Sequence, residues 1–252
     1  MHTVIQKYLV VLYNKTAKEA NSMELIKMLE EEMKAEFLNG EEKQGSAPAT
    51  KEQMIEFFYD GVKILNYLVA NQSDYFKKKD HSLLGIELDV DTVFENGVGF
   101  IGYLDVVILD EKNEKIKIID LKTSTNGWNK YVKADRSKTN QLLVYKHFYS
   151  KLYDVPLNSI EVEYLVLKRK LYENVEYYQK RFQKVVPPSG NVSINKVLRE
   201  LENFLDSVFT DDGQYNTDRE YIATTGKNNK HCKWCDFKDD HDLCDPKKRI
   251  RG

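Results

Sequence analysis

Near Leu84 the hydrophobic period of the chain changes from helical to two, and this change constrains the fold more than any other feature. In GIELDVDTV, Ile86, Leu88 and Val90 alternate with Glu87, Asp89 and Asp91, the pattern of a strand with one buried face. Asn96-Gly97 is a hairpin signal, and VGFIGYLDVVIL returns as a second strand. DEKNE makes a polar turn with its tip near Lys112 and Asn113, and KIKIIDLKT forms a third strand. Three strands joined by tight turns should make an antiparallel meander.

Helical patterns flank this region. Leu25, Met28, Leu29 and Met33 carry helical spacing within residues 17–38, and Asn39-Gly40 reads as the stop, followed by a loop. Thr50 with Gln53 three residues later matches a capping box opening a second helix to about Ala70. Its apolar face is Met54, Phe57, Phe58, Val62, Leu65 and Leu68. After the meander come a helix over residues 138–153 and strands near residues 160–168 and 176–185. Pro187-Pro188-Ser189-Gly190 breaks the chain before the amphipathic SINKVLRELENFLDSVF. The expected organisation is a helical region (1–83) packing on the core, a core (84–210) and a Cys/His-containing segment (211–252).

Composition excludes several classes. The 252 residues carry a formal charge of −2, too neutral for a uniformly basic DNA-coating protein. The charge is split, however. Residues 1–110 hold 11 basic and 19 acidic residues, a balance of −8, and residues 111–252 hold 27 and 21, a balance of +6. The apolar run from Tyr8 to Tyr13 falls far short of the ~20 residues of a membrane span and resembles no signal peptide. All three cysteines lie close together near the C-terminus, an odd set that suits a reducing compartment or a metal site, so a cytoplasmic location is expected. Gly97-Val-Gly99-Phe-Ile-Gly102 fits the dinucleotide fingerprint GxGxxG, but a turn precedes it and a strand follows, where that motif needs a strand and then a helix.

Chemistry concentrates in GYLDVV and KIIDLKTS. Asp120 and Lys122, two apart on a strand, project from one face. Pairing across the turn puts Asp105 close to Asp120. Adjacent carboxylates repel and raise each other's pKa unless a cation lies between them, and oxygen donors of this kind suit Mg²⁺ or Mn²⁺. A lysine two residues on can orient a water or stabilise charge at a reacting phosphate, so the constellation points to phosphodiester hydrolysis.

These residues resemble the PD-(D/E)XK nuclease superfamily, above all its RecB-type and CRISPR-associated adaptation exonucleases and more distantly lambda-type exonucleases. Gly102-Tyr-Leu-Asp105, Asp120-Leu-Lys122-Thr123 and Gln141-x-x-x-Tyr145 match the family's three motifs in order over roughly residues 84–170. The resemblance implies a restriction-endonuclease-like α/β fold, a mixed central sheet flanked by helices, here with a C-terminal cysteine-containing cap. It implies that Asp105 and Asp120 bind metal and that Lys122 positions water or stabilises the transition state. Gln141 and Tyr145 would buttress the site and contact DNA, and Glu87 would be a further metal ligand. Many members also carry a metal-binding histidine in an N-terminal helix; His2 stands too early in this reading and His81 too late.

The tail HCKWCDFKDDHDLC offers Cys232, Cys235, His241 and Cys244 at zinc-knuckle spacing. Related nucleases end in a three-cysteine segment that shares a [4Fe–4S] cluster with an upstream cysteine. No cysteine precedes Cys232, so zinc is preferred to iron–sulfur. Without metal, the segment would be a cap packed by Trp234 and Phe237. Basic residues surround the expected site: Lys130, Lys133, Arg136 and Lys138, then Lys168-Arg169-Lys170, with Lys247-Lys248-Arg249 and Arg251 ending the chain. They would neutralise phosphates, with Trp128 and Tyr131 stacking on unpaired bases.

The reading is a Mg²⁺- or Mn²⁺-dependent DNA nuclease, an exonuclease in replication, recombination or repair acting on ends or single-stranded regions without sequence preference. The alternatives are a catalytically inactive DNA-binding or assembly subunit of the same fold, and a protein-interaction module using the cysteine tail and the acidic helices. The acidic N-terminal helices would face away from DNA or toward a protein partner.

Overall fold

The first apolar run is a helix. α1 (His2–Asn14) buries Val4, Ile5, Tyr8, Leu9 and Leu12 completely, on the three- and four-residue spacing of one helical face. At roughly 1.5–3 kcal/mol for each large apolar side chain removed from water, that face is what holds the helix in place. The computed structural model describes residues 1–250, apart from Trp234 and the side chain of Gln44. Trp234 and Arg251, named above, lie outside those residues.

α2 (Ala17–Asn21) follows, capped by Thr16, whose hydroxyl accepts from the Glu19 N–H. α3 (Leu25–Gln44) runs through the Asn39-Gly40 pair expected to end it. Glycine within a helix costs only about 1 kcal/mol relative to alanine, so it weakens the helix without stopping it. The stop is Gly45, left-handed at φ +68°, whose N–H returns to the Glu41 carbonyl. α4 (Lys51–Tyr75) opens on the expected capping box: the Gln53 N–H donates to Thr50 Oγ1 at 3.2 Å, and the Thr50 N–H to Gln53 Oε1 at 2.8 Å. It continues past Ala70 through an irregular Asn71.

The central sheet has the order β1 (His81–Asp89), β4 (Tyr103–Asp110), β5 (Lys115–Ser124), β6 (Ile160–Lys168) and β7 (Phe182–Val185). β1, β4 and β5 are the antiparallel meander expected from the sequence. β6 joins β5 in parallel through a crossover carrying α5 (Lys130–Ala134) and α6 (Arg136–Leu152), and β7 is antiparallel again. The sheet is therefore mixed. The Asn96-Gly97 turn belongs to a separate ribbon, β2 (Thr92–Val93) with β3 (Gly99–Phe100), and no helix follows the GxGxxG glycines. β7 is only four residues long, so most of the strand expected over 176–185 is loop.

The sheet divides the core in two. Val106, Ile108, Ile119, Leu121, Leu165 and Leu167 face α1, α3 and α4. Val107, Ile118, Val162, Tyr164 and Val166 face Leu142, Phe148 and Tyr149 of α6. β6 is buried on both faces, which explains its near-continuous apolar sequence. α7 (Asn191–Val208) places Ile194 and Val197 against Leu143.

By contacts the chain forms two units, residues 1–202 and 203–252. Within the second, Phe209 stacks on Tyr215 with ring centroids 5.3 Å apart, and Thr224 bridges Ile250. No helix among the described residues is long and apolar enough to cross a membrane.

Candidate active site

The β4–β5 ladder ends on the Val106–Ile119 pair, and the next residues on the two strands are Asp105 and Asp120, near enough for the Asp120 charge to act on Asp105. On the other side of β4, the Ile86–Val106 and Leu88–Leu104 pairs bracket Glu87 opposite Asp105. Glu87 has φ +48°, a conformation costing a residue with a Cβ roughly 1–2 kcal/mol. Three acidic residues thus occupy neighbouring positions on three strands at one end of the sheet. Lys122 follows Asp120 on the same face, its Nζ 2.7 Å from Asp120 Oδ2 and 5.9 Å from the centre of the Tyr164 ring.

Each carboxylate takes the nearest donor. Asp105 Oδ2 accepts from the Leu121 N–H at 2.6 Å. Glu87 accepts from Gln6 Nε2, which also reaches the Asp105 carbonyl at 3.3 Å. Asp120 is 3% exposed, and its Oδ2 is paired with the Lys122 ammonium. Burial, then the Asp120 charge, pushes the Asp105 carboxyl up to about 7. Burial also raises Asp120, against the pull of Lys122.

In this arrangement no three His, Cys, Asp or Glu side chains among the described residues converge at metal-binding spacing. Mutual repulsion explains why the three acids turn to separate donors. The donor set nevertheless fits a divalent cation. Burial shifts Asp105 and Asp120 toward their neutral forms, and all the donors are hard oxygens suited to Mg²⁺ or Mn²⁺.

The helix motif reaches the same end of the sheet. Gln141 Nε2 donates to Tyr145 Oη at 3.0 Å, one turn along α6. Tyr145 packs so closely on Gly102 that a Cβ there would stand 2.7 Å from Tyr145 Cε1 and 3.3 Å from Phe100 Cε1. The glycine three residues before Asp105 therefore leaves room for the tyrosine. Gly102→Ala is expected to cost roughly 1–3 kcal/mol of stability by overpacking, measured by urea denaturation. Unchanged stability would show that the ring yields freely.

Two neighbours of the site escaped the sequence reading, and a third was set aside there. Gln6 is buried beside Glu87, and its signal was the helical spacing of the apolar residues around it in α1. Tyr164 on β6 has a buried hydroxyl without a partner, and its acidity is lowered by burial and by the Asp120 charge. His2, set aside as too early, is the first residue of α1. Burial, the N-terminal ammonium and Lys122 push it down to about 4, so it is neutral at pH 7.

The basic residues divide. Arg136 is held by Glu200 through two bonds of 2.7 and 3.1 Å, and Lys170 pairs with Glu56. Arg169 lies over the Phe57 ring, and Lys138 is exposed on α6. Exposed Lys130 lies over Tyr131, while Lys168 is depressed by burial and by neighbouring Lys133. Of the two aromatic platforms expected, Tyr131 is open; Trp128 packs on Tyr164 at 5.0 Å. In the second unit, Cys232, Cys235 and Cys244 are partly buried free thiols, and they are not gathered with His241 into a ligand cluster.

A family model of the PD-(D/E)XK nuclease superfamily matches residues 1–240. The chain belongs to that superfamily. Comparison with curated proteins gives no significant match. Membership implies a nucleic-acid substrate. The sequence holds an acidic residue and then acid-x-lysine, in that order, as Asp105 and Asp120-Leu121-Lys122.

Proposed function

We propose that this protein is a Mg²⁺- or Mn²⁺-dependent deoxyribonuclease, an exonuclease acting on DNA ends or single-stranded regions in replication, recombination or repair. The observation that carries the reading is the adjacency of Asp105 and Asp120 on β4 and β5, with Lys122 2.7 Å from Asp120. Asp105, Asp120 and Glu87 would hold the ion, with neutral His2 as a nitrogen donor. Bound there, such an ion neutralises phosphate charge and makes water acidic enough to attack at neutral pH. Lys122 would orient that water or stabilise the charge growing on the phosphate. Gln141 and Tyr145 would fix the flank of the site against the substrate strand. Lys130, Lys133, Lys138 and Lys168 would neutralise backbone phosphates, with affinity falling steeply as salt rises.

Incubation with end-labelled single- and double-stranded DNA tests the reading. We expect degradation with Mg²⁺ or Mn²⁺ and none in EDTA. Degradation that persists in EDTA, or a protein inert on every substrate with both metals, would refute it.

A further inference from the structure

A cavity of about 370 Å³ opens beside the end of the catalytic strand. Its apolar wall is Leu29 and Met33 of α3 and Ile64 of α4, and Thr123, the residue after Lys122, contributes from β5. Thr123 points to the opposite face of the strand from Asp120 and Lys122, so the cavity lies just around the strand from the reacting groups. Met1, Phe57, Gly61 and Arg169 complete the lining. Phe57 is 38% exposed although it belongs to the apolar pattern of α4, and the Arg169 guanidinium lies 4.9 Å from its ring centre. Lys170 pairs with Glu56 on the same helix, which neutralises the carboxylate nearest to Phe57 in sequence.

We infer that this cavity receives an unpaired nucleobase of the substrate strand, stacked on Phe57 once the Arg169 guanidinium, 4.9 Å over that ring in the free protein, swings outward to the adjoining phosphate. The inference rests on the nuclease reading and adds a preference for unpaired DNA.

The chemistry selects this ligand. An isolated phosphate would pair with Arg169 but make no use of the apolar wall of Leu29, Met33 and Ile64. A purely aliphatic group would make no use of the guanidinium. A flat heteroaromatic ring on an anionic backbone uses both the apolar wall and the cation. A base can enter only after leaving the duplex stack, which costs a few kcal/mol in paired DNA and much less in a single strand. The chain beyond Arg169 continues the pattern: Tyr172, Tyr177 and Tyr178 are all exposed on the loop before β7, open to further stacking.

The test compares affinities for a single-stranded oligonucleotide and a blunt duplex of the same sequence, by fluorescence anisotropy in EDTA. Phe57→Ala is expected to lower the ratio of single-strand to duplex affinity about tenfold, the loss of one base–aromatic stack. Phe57→Trp, which keeps a stacking face, should retain the wild-type ratio and so control for folding. An unchanged ratio in Phe57→Ala, or a Trp variant as impaired as the Ala variant, overturns the pocket while leaving the nuclease reading intact. Wild-type protein that binds neither oligonucleotide overturns both.

Discussion

Asp120→Ala and Lys122→Ala are each expected to lower metal-dependent DNA cleavage by roughly 10²–10³-fold or more, the scale of removing a preorganised charge from a reacting centre. The two should fail differently. Asp120 is almost wholly buried, and burial raises its carboxyl against the pull of Lys122, so its charge is a net cost to the fold when no metal ion is bound. Its removal should abolish turnover and metal binding while leaving the thermal transition in EDTA at or above the wild-type temperature. Lys122 is half-exposed and contacts Asp120. Its removal should reduce kcat far more than KM, because a group that acts on developing charge contributes little to ground-state binding. End-labelled DNA with Mg²⁺ or Mn²⁺ reads the first effect, and a substrate titration separates the two constants. Either variant retaining wild-type turnover would remove these residues from the chemistry.

The meander and its acid pair were legible because two local codes agreed. Alternation fixed which side chains share a face, and the turn at DEKNE fixed which residues oppose, so Asp105 and Asp120 followed from register alone. The capping box at Thr50 and Gln53 was equally local. The features that escaped depend on tertiary context. The run from Tyr8 to Tyr13 is too uniformly apolar to show a face. Only the longer spacing of Val4, Ile5, Tyr8, Leu9 and Leu12 marks a helix buried beneath the sheet; without it Gln6 went unread and His2 was set aside. The Asn39-Gly40 stop failed because a glycine ends a helix only where the chain must turn left-handed, and that need arises at Gly45. Trp128 read as a stacking platform, but an aromatic residue beside β6 finds Tyr164 before it finds a base.

Asp105→Asn should have opposite effects with and without metal. In EDTA at pH 8 the variant should be more stable than wild type, because burial and the Asp120 charge raise the Asp105 carboxyl to about 7 in the folded protein, against ~3.9 unfolded. A carboxyl raised by folding keeps its proton in the native state after the unfolded chain has released it. The associated stability is complete below about pH 4 and is lost as pH rises through about 7. The full separation would correspond to roughly 4 kcal/mol at pH 8, and water reaching the half-buried group reduces this to about 1–3 kcal/mol. The advantage of the asparagine should shrink at pH 5. Its amide oxygen can still accept from the Leu121 N–H, so that bond does not confound the comparison. Adding Mn²⁺ at pH 8 should reverse the order. A cation binds the ionised acids, so wild type gains about 2.7 kcal/mol at a hundredfold excess over Kd, while the variant, with one charge removed, gains far less. Thermal melts at pH 5 and pH 8, each in EDTA and in Mn²⁺, read all four terms. Equal stabilisation of both proteins by Mn²⁺ would show that Asp105 does not hold the ion. Loss of stability in EDTA at pH 8 would show that its charge is compensated in the fold. Only a carboxylate that is costly alone and useful with a cation gives the crossed result.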